Sequence, residues 1–305
     1  MLTKGRKRFQ LKLASGIVTL GSRTLIMGVL NVTPDSFSDG GKFYDVKAAV
    51  RRALEIQEAG ADILDIGGES TRPGSEGISG KEEIKRVLPV LNALRNRLKI
   101  PISIDTQKAE VAEVALGAGA QIVNDISGLR SDPGMAAVAA RHRVPIILMH
   151  IRGTPRTMQK GPFARNIMKD VIAGLRWSVN KARRAGIAKS QIILDPGIGF
   201  GKSFAQNYEL LQKLPEIVRL GFPVMTGTSR KGFLSAMFGG EGKSDRGSER
   251  PSIEERIWGT AATVTASILG GAHIVRVHDV CEMVQVARVA DQVVRSRSES
   301  RKSRK

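Results

Sequence analysis

The chain has 305 residues, of which 41% are hydrophobic and only 4% aromatic. This length fits one large α/β barrel or two ordinary domains, and the core must be built from aliphatic side chains. Cys281 is the only cysteine, so an intrachain disulfide is excluded and a reducing compartment is expected. No apolar run reaches the roughly 18 residues that span a bilayer, and no signal-type stretch follows the basic start. We therefore expect a soluble, cytoplasmic protein.

The formal net charge of +19 is concentrated at the two ends of the chain. Five basic residues lie between Lys4 and Lys12, and six lie between Arg295 and Lys305. The last segment has no apolar residue that could pack, which predicts a disordered basic tail over 295–305, after a basic extension over 1–9 and a single domain over 10–294. Neither an aromatic platform nor a zinc-ligand spacing supports a nucleic-acid partner. The positive field suits anionic small-molecule substrates instead.

In chain order, the first predicted element is a short β-hairpin over Gln10–Gly21, with its turn at Ala14–Gly16. After it, short apolar runs alternate with longer amphipathic stretches typical of helices. The eight apolar runs are Leu25–Leu30, Asp62–Ile66, Pro101–Ile104, Gln121–Val123, Val144–Met149, Gln191–Leu194, Phe222–Thr226 and His273–Val277. The eight helical stretches are about Val46–Ala59, Lys81–Leu98, Lys108–Ala118, Pro133–Arg141, Ala164–Ala185, Phe204–Leu214, Ser252–Leu269 and Val280–Val294.

Eight β/α units in this length favour a closed (β/α)8 TIM barrel, within the α/β class, over an open doubly wound sheet. The first strand is not followed by the GxGxxG pattern of dinucleotide-binding folds. The stretch Gly239–Pro251, GGEGKSDRGSERP, is expected to be a surface loop within the seventh unit.

Polar side chains follow every predicted strand, at the barrel face where functional groups gather in this fold. A purely structural barrel has no reason to place them there eight times. Asp65 and Asp125 are expected mainly to brace loops or cap helices, and His150 is as well explained by a hydrogen-bonded core histidine as by a ligand contact. The strand-end residues are Asn31, Asp65, Asp105, Asn124, Asp125, His150, Asp195, Ser229, Arg230, Lys231, Arg276, His278 and Asp279.

The residue types narrow the ligand to a polar ring carrying a phosphorylated group. Asp105, Asn124 and Asp195 can meet a flat heterocycle with neighbouring N–H donors, because a carboxylate accepts two parallel hydrogen bonds from such an edge. Arg276 and His278 precede a helix N-terminus, a position that suits phosphate. Lys231 can serve ring acceptors, and Asn31 can give Mg²⁺ a neutral oxygen.

The same residues lie in strings that resemble the signature segments of dihydropteroate synthases. The resemblance spans about Phe9 to Asp291, and the order of the segments makes it far more specific than any one of them. The strings are MGVLNVTPDSFSDGG (Met27–Gly41), DIGGESTRPG (Asp65–Gly74), IDT (Ile104–Thr106), NDISG (Asn124–Gly128), HIRGTPRTMQ (His150–Gln159), LDPGIGFGK (Leu194–Lys202), TSRKGF (Thr228–Phe233) and RVHDV (Arg276–Val280).

The resemblance implies a role for each site residue. Asp105, Asn124, Asp195 and Lys231 would hold a pterin. Asn31, Arg276 and His278 would hold its pyrophosphate with Mg²⁺, and Asn31 would bind the metal. The p-aminobenzoate side would be formed by Phe37, Thr71, Arg72, Pro73 and Phe200. The residues nearest the chemistry would be Asp105, Lys231, Arg276 and His278.

The implied reaction is a Mg²⁺-dependent transfer that joins a dihydropterin methyl diphosphate to p-aminobenzoate. It gives dihydropteroate and pyrophosphate, in a protein that the resemblance suggests is a homodimer. One alternative is a pterin-dependent methyltransferase working with a corrinoid protein, which would share Asp105, Asn124 and Asp195. Such an enzyme would not need the STRPG loop, the SRK segment or the RVH motif. A second alternative is a non-catalytic or nucleic-acid-associated paralogue that uses the basic ends.

Two residues depart from the family pattern. Gly232 follows Lys231 where many relatives have serine, which removes a contact expected for the aminobenzoate carboxylate. Arg152 adds a charge where a neutral or variable residue is expected. Both departures concern the p-aminobenzoate side and leave the expected pterin residues in place.

Overall fold

The computed structural model describes residues 6–33, 46–235, 252 and 255–302, with side chains described as far as residue 296. Its central feature is a sheet of eight parallel strands, each short and buried. Aliphatic side chains fill these strands because both faces of the sheet are covered. The strands are β3 (Leu25–Asn31), β4 (Ile63–Gly67), β5 (Ile102–Asp105), β6 (Ile122–Asp125), β7 (Ile146–Met149), β8 (Ile192–Asp195), β9 (Met225–Thr226) and β10 (Ile274–Val277).

The sheet closes into a barrel. Hydrogen-bonded neighbours follow the order β8-β7-β6-β5-β4-β3-β10-β9. Between the two outer strands of that order, the Leu194 amide donates to the carbonyl oxygen of Pro223 at 2.9 Å, and Leu194 pairs with Val224 in a parallel bridge. The predicted (β/α)8 barrel is therefore confirmed, and all eight strands direct their carboxyl ends to one rim.

The predicted hairpin is also present and lies against the amino ends of the strands. Strands β1 (Phe9–Leu13) and β2 (Gly16–Leu20) pair antiparallel, with Phe9 opposite Leu20. Leu11 and Leu20 are fully buried against inward-facing residues of the barrel strands. The hairpin thus covers the end of the barrel opposite the strand-end polar groups. The barrel residues of this cluster are Leu25, Met27, Ile63, Ile122, Ile147, Ile193, Met225 and Ile274.

Helices surround the barrel and pack their apolar faces on the outside of the strands. Their starts are set by local capping: Ser79 accepts from the Glu82 amide before α2, and Ser203 forms a capping box with Gln206 before α6. Within the described residues the helices are α1 (Val46–Glu58), α2 (Gly80–Leu94), α3 (Ala109–Gly117), α4 (Met135–His142), α5 (Ile167–Arg184), α6 (Phe204–Gln212), α7 (Leu214–Val218), α8 (Ile257–Leu269) and α9 (Val280–Lys302). None of these helices is long and apolar enough to cross a membrane.

The two ends of the chain differ from the sequence-based expectation. Helix α9 continues to Lys302, so its predicted end near Val294 is corrected. Neither Gly nor Pro occurs between Val280 and Lys302, and Arg, Lys, Glu and Ser are all tolerated inside a helix. In the predicted basic extension, the Arg6 guanidinium pairs with Asp291 of α9. The predicted surface loop Gly239–Pro251 lies outside the described residues.

Candidate active site

A network of charged side chains joins four barrel strands at the rim of their carboxyl ends. Arg276 of β10 donates from Nε to Asp65 Oδ2 of β4 at 2.6 Å and from Nη2 to Asp105 Oδ2 of β5 at 2.7 Å. Asn124 of β6 donates from Nδ2 to the same Asp65 oxygen at 3.0 Å. The predicted pterin residues Asp105 and Asn124 are therefore brought together with the predicted pyrophosphate residue Arg276.

Asp105 is buried beside Arg276, and two opposing effects act on its carboxyl group. Burial raises the pKa of Asp105 because the charged form loses its solvation, whereas the Arg276 guanidinium acts to lower it. Burial acts to lower the pKa of Arg276, but the nearby carboxylates of Asp65 and Asp105 outweigh it and raise the pKa above its ordinary value. Arg276 therefore stays positively charged at any physiological pH and is able to attract an anionic group.

Asp195 ends β8 and presents a second buried carboxylate to the same rim. Its Oδ1 accepts a hydrogen bond from the Gly197 amide at 2.7 Å. Burial raises the pKa of Asp195 to about 6, while Lys202, Lys231 and Arg276 act in the opposite direction. A carboxylate accepts several hydrogen bonds, so acceptor positions are left for a ligand with N–H donors.

Lys231 follows β9 and lies over the ring of Phe200, with its Nζ 3.8 Å from the ring centroid. Burial and the Arg276 charge lower the pKa of Lys231 to about 8, against the attraction of Asp195 and Asp105. Lys231 belongs to the same group as the pterin residues, and Phe200 joins it to the predicted p-aminobenzoate side. An ammonium group over an aromatic face is a favourable cation–π contact.

Asn31 ends β3 beside the acidic residues. In the parallel register Asn31 is level with Gly67, and Gly67 is level with Asp105. A Cβ placed on Gly67 would lie 3.8 Å from Asn31 Oδ1 and 3.5 Å from Asp105 Cβ, both ordinary contact distances, so the two side chains flank Gly67. Among the described residues there is no cluster of three or more His, Cys, Asp or Glu able to hold a metal ion. A neutral amide oxygen here fits Mg²⁺ bound mostly by phosphate and water oxygens.

His278 is held in one orientation by Ser229. The His278 amide donates to Ser229 Oγ at 3.1 Å, and the same hydroxyl lies 3.1 Å from His278 Nδ1. Burial and the neighbouring Arg276, Arg230 and Lys231 charges lower the pKa of His278 to about 3, so the imidazole is neutral. The hydroxyl accepts from the amide and can donate its own proton to Nδ1; in that tautomer the ring proton lies on Nε2.

The structure does not bring every predicted residue into this group. Phe37 lies outside the described residues. Thr71, Arg72 and Pro73 lie on the loop after β4, where Arg72 and Pro73 are exposed. That loop is joined to the loop after β7, because the amide of Gly74 donates to the carbonyl oxygen of Pro155 at 3.0 Å.

Lys202 is a buried charged residue whose importance the sequence did not reveal. Its Nζ donates to the carbonyl oxygens of His150 and Phe200, both at 2.9 Å, and lies 3.0 Å from His150 Nδ1. Burial lowers the pKa of Lys202 to about 7, and burial with nearby cations lowers that of His150 to about 2. Lys202 thus joins His150, which follows β7, to the loop that follows β8. The available signal in the sequence was the GFGK stretch, Gly199–Lys202, in that loop.

The two departures from the family pattern have distinct surroundings. Arg152 donates to Asp170 Oδ2 at 3.0 Å, so its additional charge is paired. Gly232 begins a short 3-10 helix, and a Cβ added there would meet nothing within 4 Å. There is room for a serine side chain at this position.

Comparison with known proteins agrees with this geometry. Residues 27–278 match the family model described as pterin binding enzyme. The chain is 51% identical over 271 residues to the dihydropteroate synthase of Synechocystis, covering 89% of this chain and 90% of that protein. A dihydropteroate synthase from Clostridium difficile, solved with pteroic acid, has a TM-score of 0.81 at 43% identity, covering 90% of this chain and 98% of its own. The Xanthomonas albilineans dihydropteroate synthase, solved with 4-aminobenzoic acid, has a TM-score of 0.84 at 41% identity. The match covers 94% of this chain and 98% of that one.

The closed barrel carries buried carboxylates, an amide and cations at one rim, and its relatives are pterin-binding enzymes. Together these observations define the class as a pterin-binding enzyme. The chain belongs to that family, and within it to the dihydropteroate synthases. The predicted family and transferase activity are confirmed. The relatives named here favour this activity over the methyltransferase and paralogue alternatives.

Proposed function

We propose that the residues at this rim catalyse the condensation of (7,8-dihydropterin-6-yl)methyl diphosphate with p-aminobenzoate, giving 7,8-dihydropteroate and pyrophosphate. The observation that carries the proposal is the Asn124–Asp65–Arg276–Asp105 network, which places acceptors for a ring beside a permanent cation for an anion. The Clostridium difficile relative was solved with pteroic acid and the Xanthomonas albilineans relative with 4-aminobenzoic acid. Both ligand types fit the two-part site proposed here.

The pterin is recognised by acceptors on one side and a cation on the other. Asp195 accepts from neighbouring N–H donors of the ring, since its carboxylate has acceptor capacity beyond the Gly197 amide. Asn124 and Asp105 accept hydrogen bonds from a second edge of the pterin ring. Lys231 donates to ring acceptors and carries its charge close to Arg276 and Phe200.

The pyrophosphate is held by Arg276 and His278. Arg276 has five N–H donors, of which Asp65 and Asp105 use one each; within the described ranges the other three have no protein acceptor and can donate to phosphate oxygens. Neutral His278 donates from Nε2 in the tautomer in which Nδ1 accepts from the Ser229 hydroxyl. Positive charge that is already oriented stabilises the leaving group without reorganisation during the reaction.

We also propose that Asn31 supplies one oxygen to Mg²⁺, with the diphosphate and water supplying the rest. When bound, the ion neutralises negative charge on the departing pyrophosphate. The amide oxygen of Asn31 fits this arrangement because a metal shared with the substrate needs few protein ligands.

The p-aminobenzoate lies between Phe200 and the loop that follows β4, to which Thr71, Arg72 and Pro73 belong. The predicted contribution of Phe37 lies outside the described residues. The C–O bond to pyrophosphate breaks, the C–N bond to the aryl amine forms, and the amine proton leaves to solvent. The aryl amine is already a nucleophile near neutral pH, so this site needs no strong general base.

We propose two further properties of the whole protein, a cytoplasmic location and a homodimer. Trp258 of α8 is 80% exposed, and Val289 and Val293 of α9 are also exposed apolar residues. A second copy of the chain would cover such a surface. Sedimentation equilibrium of the purified protein measures its oligomeric state, and a monomer at micromolar concentration would rule out the homodimer.

The decisive assay measures pyrophosphate release from the dihydropterin diphosphate with Mg²⁺, in the presence and absence of p-aminobenzoate. We expect release that depends on both Mg²⁺ and p-aminobenzoate, with dihydropteroate formed in equal amount. Release that proceeds equally without p-aminobenzoate, and yields no dihydropteroate, would contradict the proposed function. Undiminished turnover in chelator would contradict the proposed use of Mg²⁺ alone.

A further inference from the structure

Two buried aspartates at strand ends look equivalent in the sequence and differ in the structure. Asp65 is the third residue of β4 and Asp125 is the last residue of β6, and each is 0% exposed. Asp125 braces its own loop, as its carboxylate accepts from the amides of Ser127 at 2.8 Å and Leu129 at 2.7 Å. The prediction that such residues support loops therefore fits Asp125.

Asp65 instead binds two side chains of the site. Its Oδ2 accepts from Arg276 Nε at 2.6 Å and from Asn124 Nδ2 at 3.0 Å. One oxygen thus links a residue proposed to hold the pterin to a residue proposed to hold the pyrophosphate. The prediction of a loop-bracing role for Asp65 is corrected by these contacts.

The contact with Asp65 determines which atom of Asn124 faces the ligand. An ionised carboxylate only accepts hydrogen bonds, so the Asn124 amide must present Nδ2 to Asp65. Its Oδ1 is then the atom available to a ring N–H. Without Asp65 the amide could rotate by half a turn and present a donor to the same ring position.

The same oxygen fixes the plane of the Arg276 guanidinium. Asp65 holds Nε and Asp105 holds Nη2, so the remaining N–H groups point in defined directions. A flexible arginine must lose rotational freedom on binding an anion, and a side chain that is already held loses less. Within the described part of the chain, Asp65 Oδ1 is buried with no hydrogen-bond partner, so the Arg276 charge is the main compensation for its burial.

We propose that Asp65 is a positioning residue that couples the pterin and pyrophosphate subsites through Asn124 and Arg276. Asp65 does not touch the substrate in this scheme. The inference rests on the proposed function, because it takes the ligands of Asn124 and Arg276 from it.

Asp65→Asn and the matched control Asp125→Asn test the inference. Calorimetry would measure two probes, 6-hydroxymethyl-7,8-dihydropterin and inorganic pyrophosphate with Mg²⁺. We expect Asp65→Asn to weaken each probe about tenfold, the scale of one lost hydrogen bond to a charged group. Its kcat/KM for the dihydropterin diphosphate should fall about 100-fold. Asp125→Asn should lower Tm and leave both affinities within about threefold of the parent protein.

A purely structural role for Asp65 would not produce the following pattern. In an Asn124→Ala background, Asp65→Asn should weaken the pyrophosphate probe as before and leave the pterin probe unchanged. An equal loss of pterin affinity in both backgrounds, or probe affinities of Asp65→Asn that match Asp125→Asn, would overturn the inference. The probe affinities do not depend on turnover, so a failure of the proposed reaction would be seen separately, in the parent protein's pyrophosphate release.

If Asp65→Asn does not fold, the coupling can be measured in Asn124→Ala. Asn124 is linked to Arg276 through Asp65. Asn124→Ala should therefore weaken the pyrophosphate probe by at least about threefold. An unchanged pyrophosphate affinity in Asn124→Ala would contradict the proposal.

Discussion

The buried carboxylate of Asp195 illustrates how single residues set the chemistry of the rim. It receives one backbone hydrogen bond, from Gly197, and burial raises its pKa to about 6. Its ionised form is the one that accepts hydrogen bonds from a ring, and this form is favoured only above that pKa. Pterin binding to this residue should therefore depend on pH within the range in which enzymes are usually assayed.

We expect Asp195→Asn to weaken dihydropterin binding by about 2–3 kcal/mol, which is about 30- to 150-fold, because a buried hydrogen bond to a charged acceptor is lost. In the parent protein, affinity should fall about tenfold from pH 7 to pH 5 as Asp195 takes up a proton. Calorimetry with 6-hydroxymethyl-7,8-dihydropterin measures both effects.

The Asp195→Asn variant should lose this pH dependence, apart from the part that Asp105 contributes. Asp125→Asn is the control, since that carboxylate contacts backbone amides in its own loop. Unchanged pterin affinity in Asp195→Asn at pH 7 would show that Asp195 does not hold the ring.

The sequence predicted which residue types lie at the rim, but it did not predict their hydrogen-bond partners. Asp105, Asn124, Asp195 and Arg276 follow apolar runs, so the sequence placed them at one end of the barrel. Hydrogen-bond partners come from strands distant in the chain, and strand pairing fixes them only after the barrel closes. The contact of Asp65 with Arg276, 211 residues away, is therefore invisible in the sequence.

At the scale of elements, the short strands were easier to predict than the loops after them. The aliphatic run Gln191–Leu194 predicted β8 to within one residue at each end. The run Phe222–Thr226 predicted a longer strand than β9, which pairs regularly only at Met225–Thr226. Loop positions depend on contacts between loops, such as that of Gly74 with Pro155, which no local pattern encodes.

The exposed loop after β4 gives a prediction at this scale. Arg72→Ala should raise the KM for p-aminobenzoate about tenfold and leave the affinity for the dihydropterin diphosphate within about twofold, because Arg72 is exposed on its loop whereas Asp105, Asn124 and Asp195 are buried. The magnitude is that of one lost charge-assisted contact. Steady-state kinetics with each substrate varied in turn measure the two constants. An equal loss for both substrates would contradict a site with two separate parts.

At the scale of the whole molecule, the barrel itself followed from the repetition of eight β/α units, a pattern that survives errors at individual boundaries. The sequence could not show how the chain ends are fixed. The basic residues before the hairpin were predicted to form an extension, yet Arg6 reaches Thr24, Ala272 and Asp291. Charge composition alone does not distinguish a solvated arginine from one that pairs with a buried carboxylate.

Arg6 joins the start of the chain to its last helix at the end of the barrel opposite the active site. Its Nη1 donates to Thr24 Oγ1 at 2.6 Å and to the Ala272 carbonyl at 3.1 Å, and its Nη2 pairs with Asp291. The two charged side chains are only 4% and 9% exposed. Asp291 also accepts from the Thr24 amide at 2.7 Å, so the carboxylate stays buried when its cation is removed.

We therefore expect Arg6→Ala to lower stability by about 3–5 kcal/mol, because removing one partner leaves a buried charge uncompensated. The corresponding fall in Tm is roughly 6–10 °C for a domain of this size. Arg8→Ala is the matched control: Arg8 is exposed, and its loss should change stability by no more than about 0.5 kcal/mol. Thermal denaturation measures both, and kcat at 25 °C should be equal in the two variants because the active site lies at the other end of the barrel. Equal Tm values for Arg6→Ala and Arg8→Ala would mean that the basic extension contributes charge to the surface and nothing to the stability of the barrel.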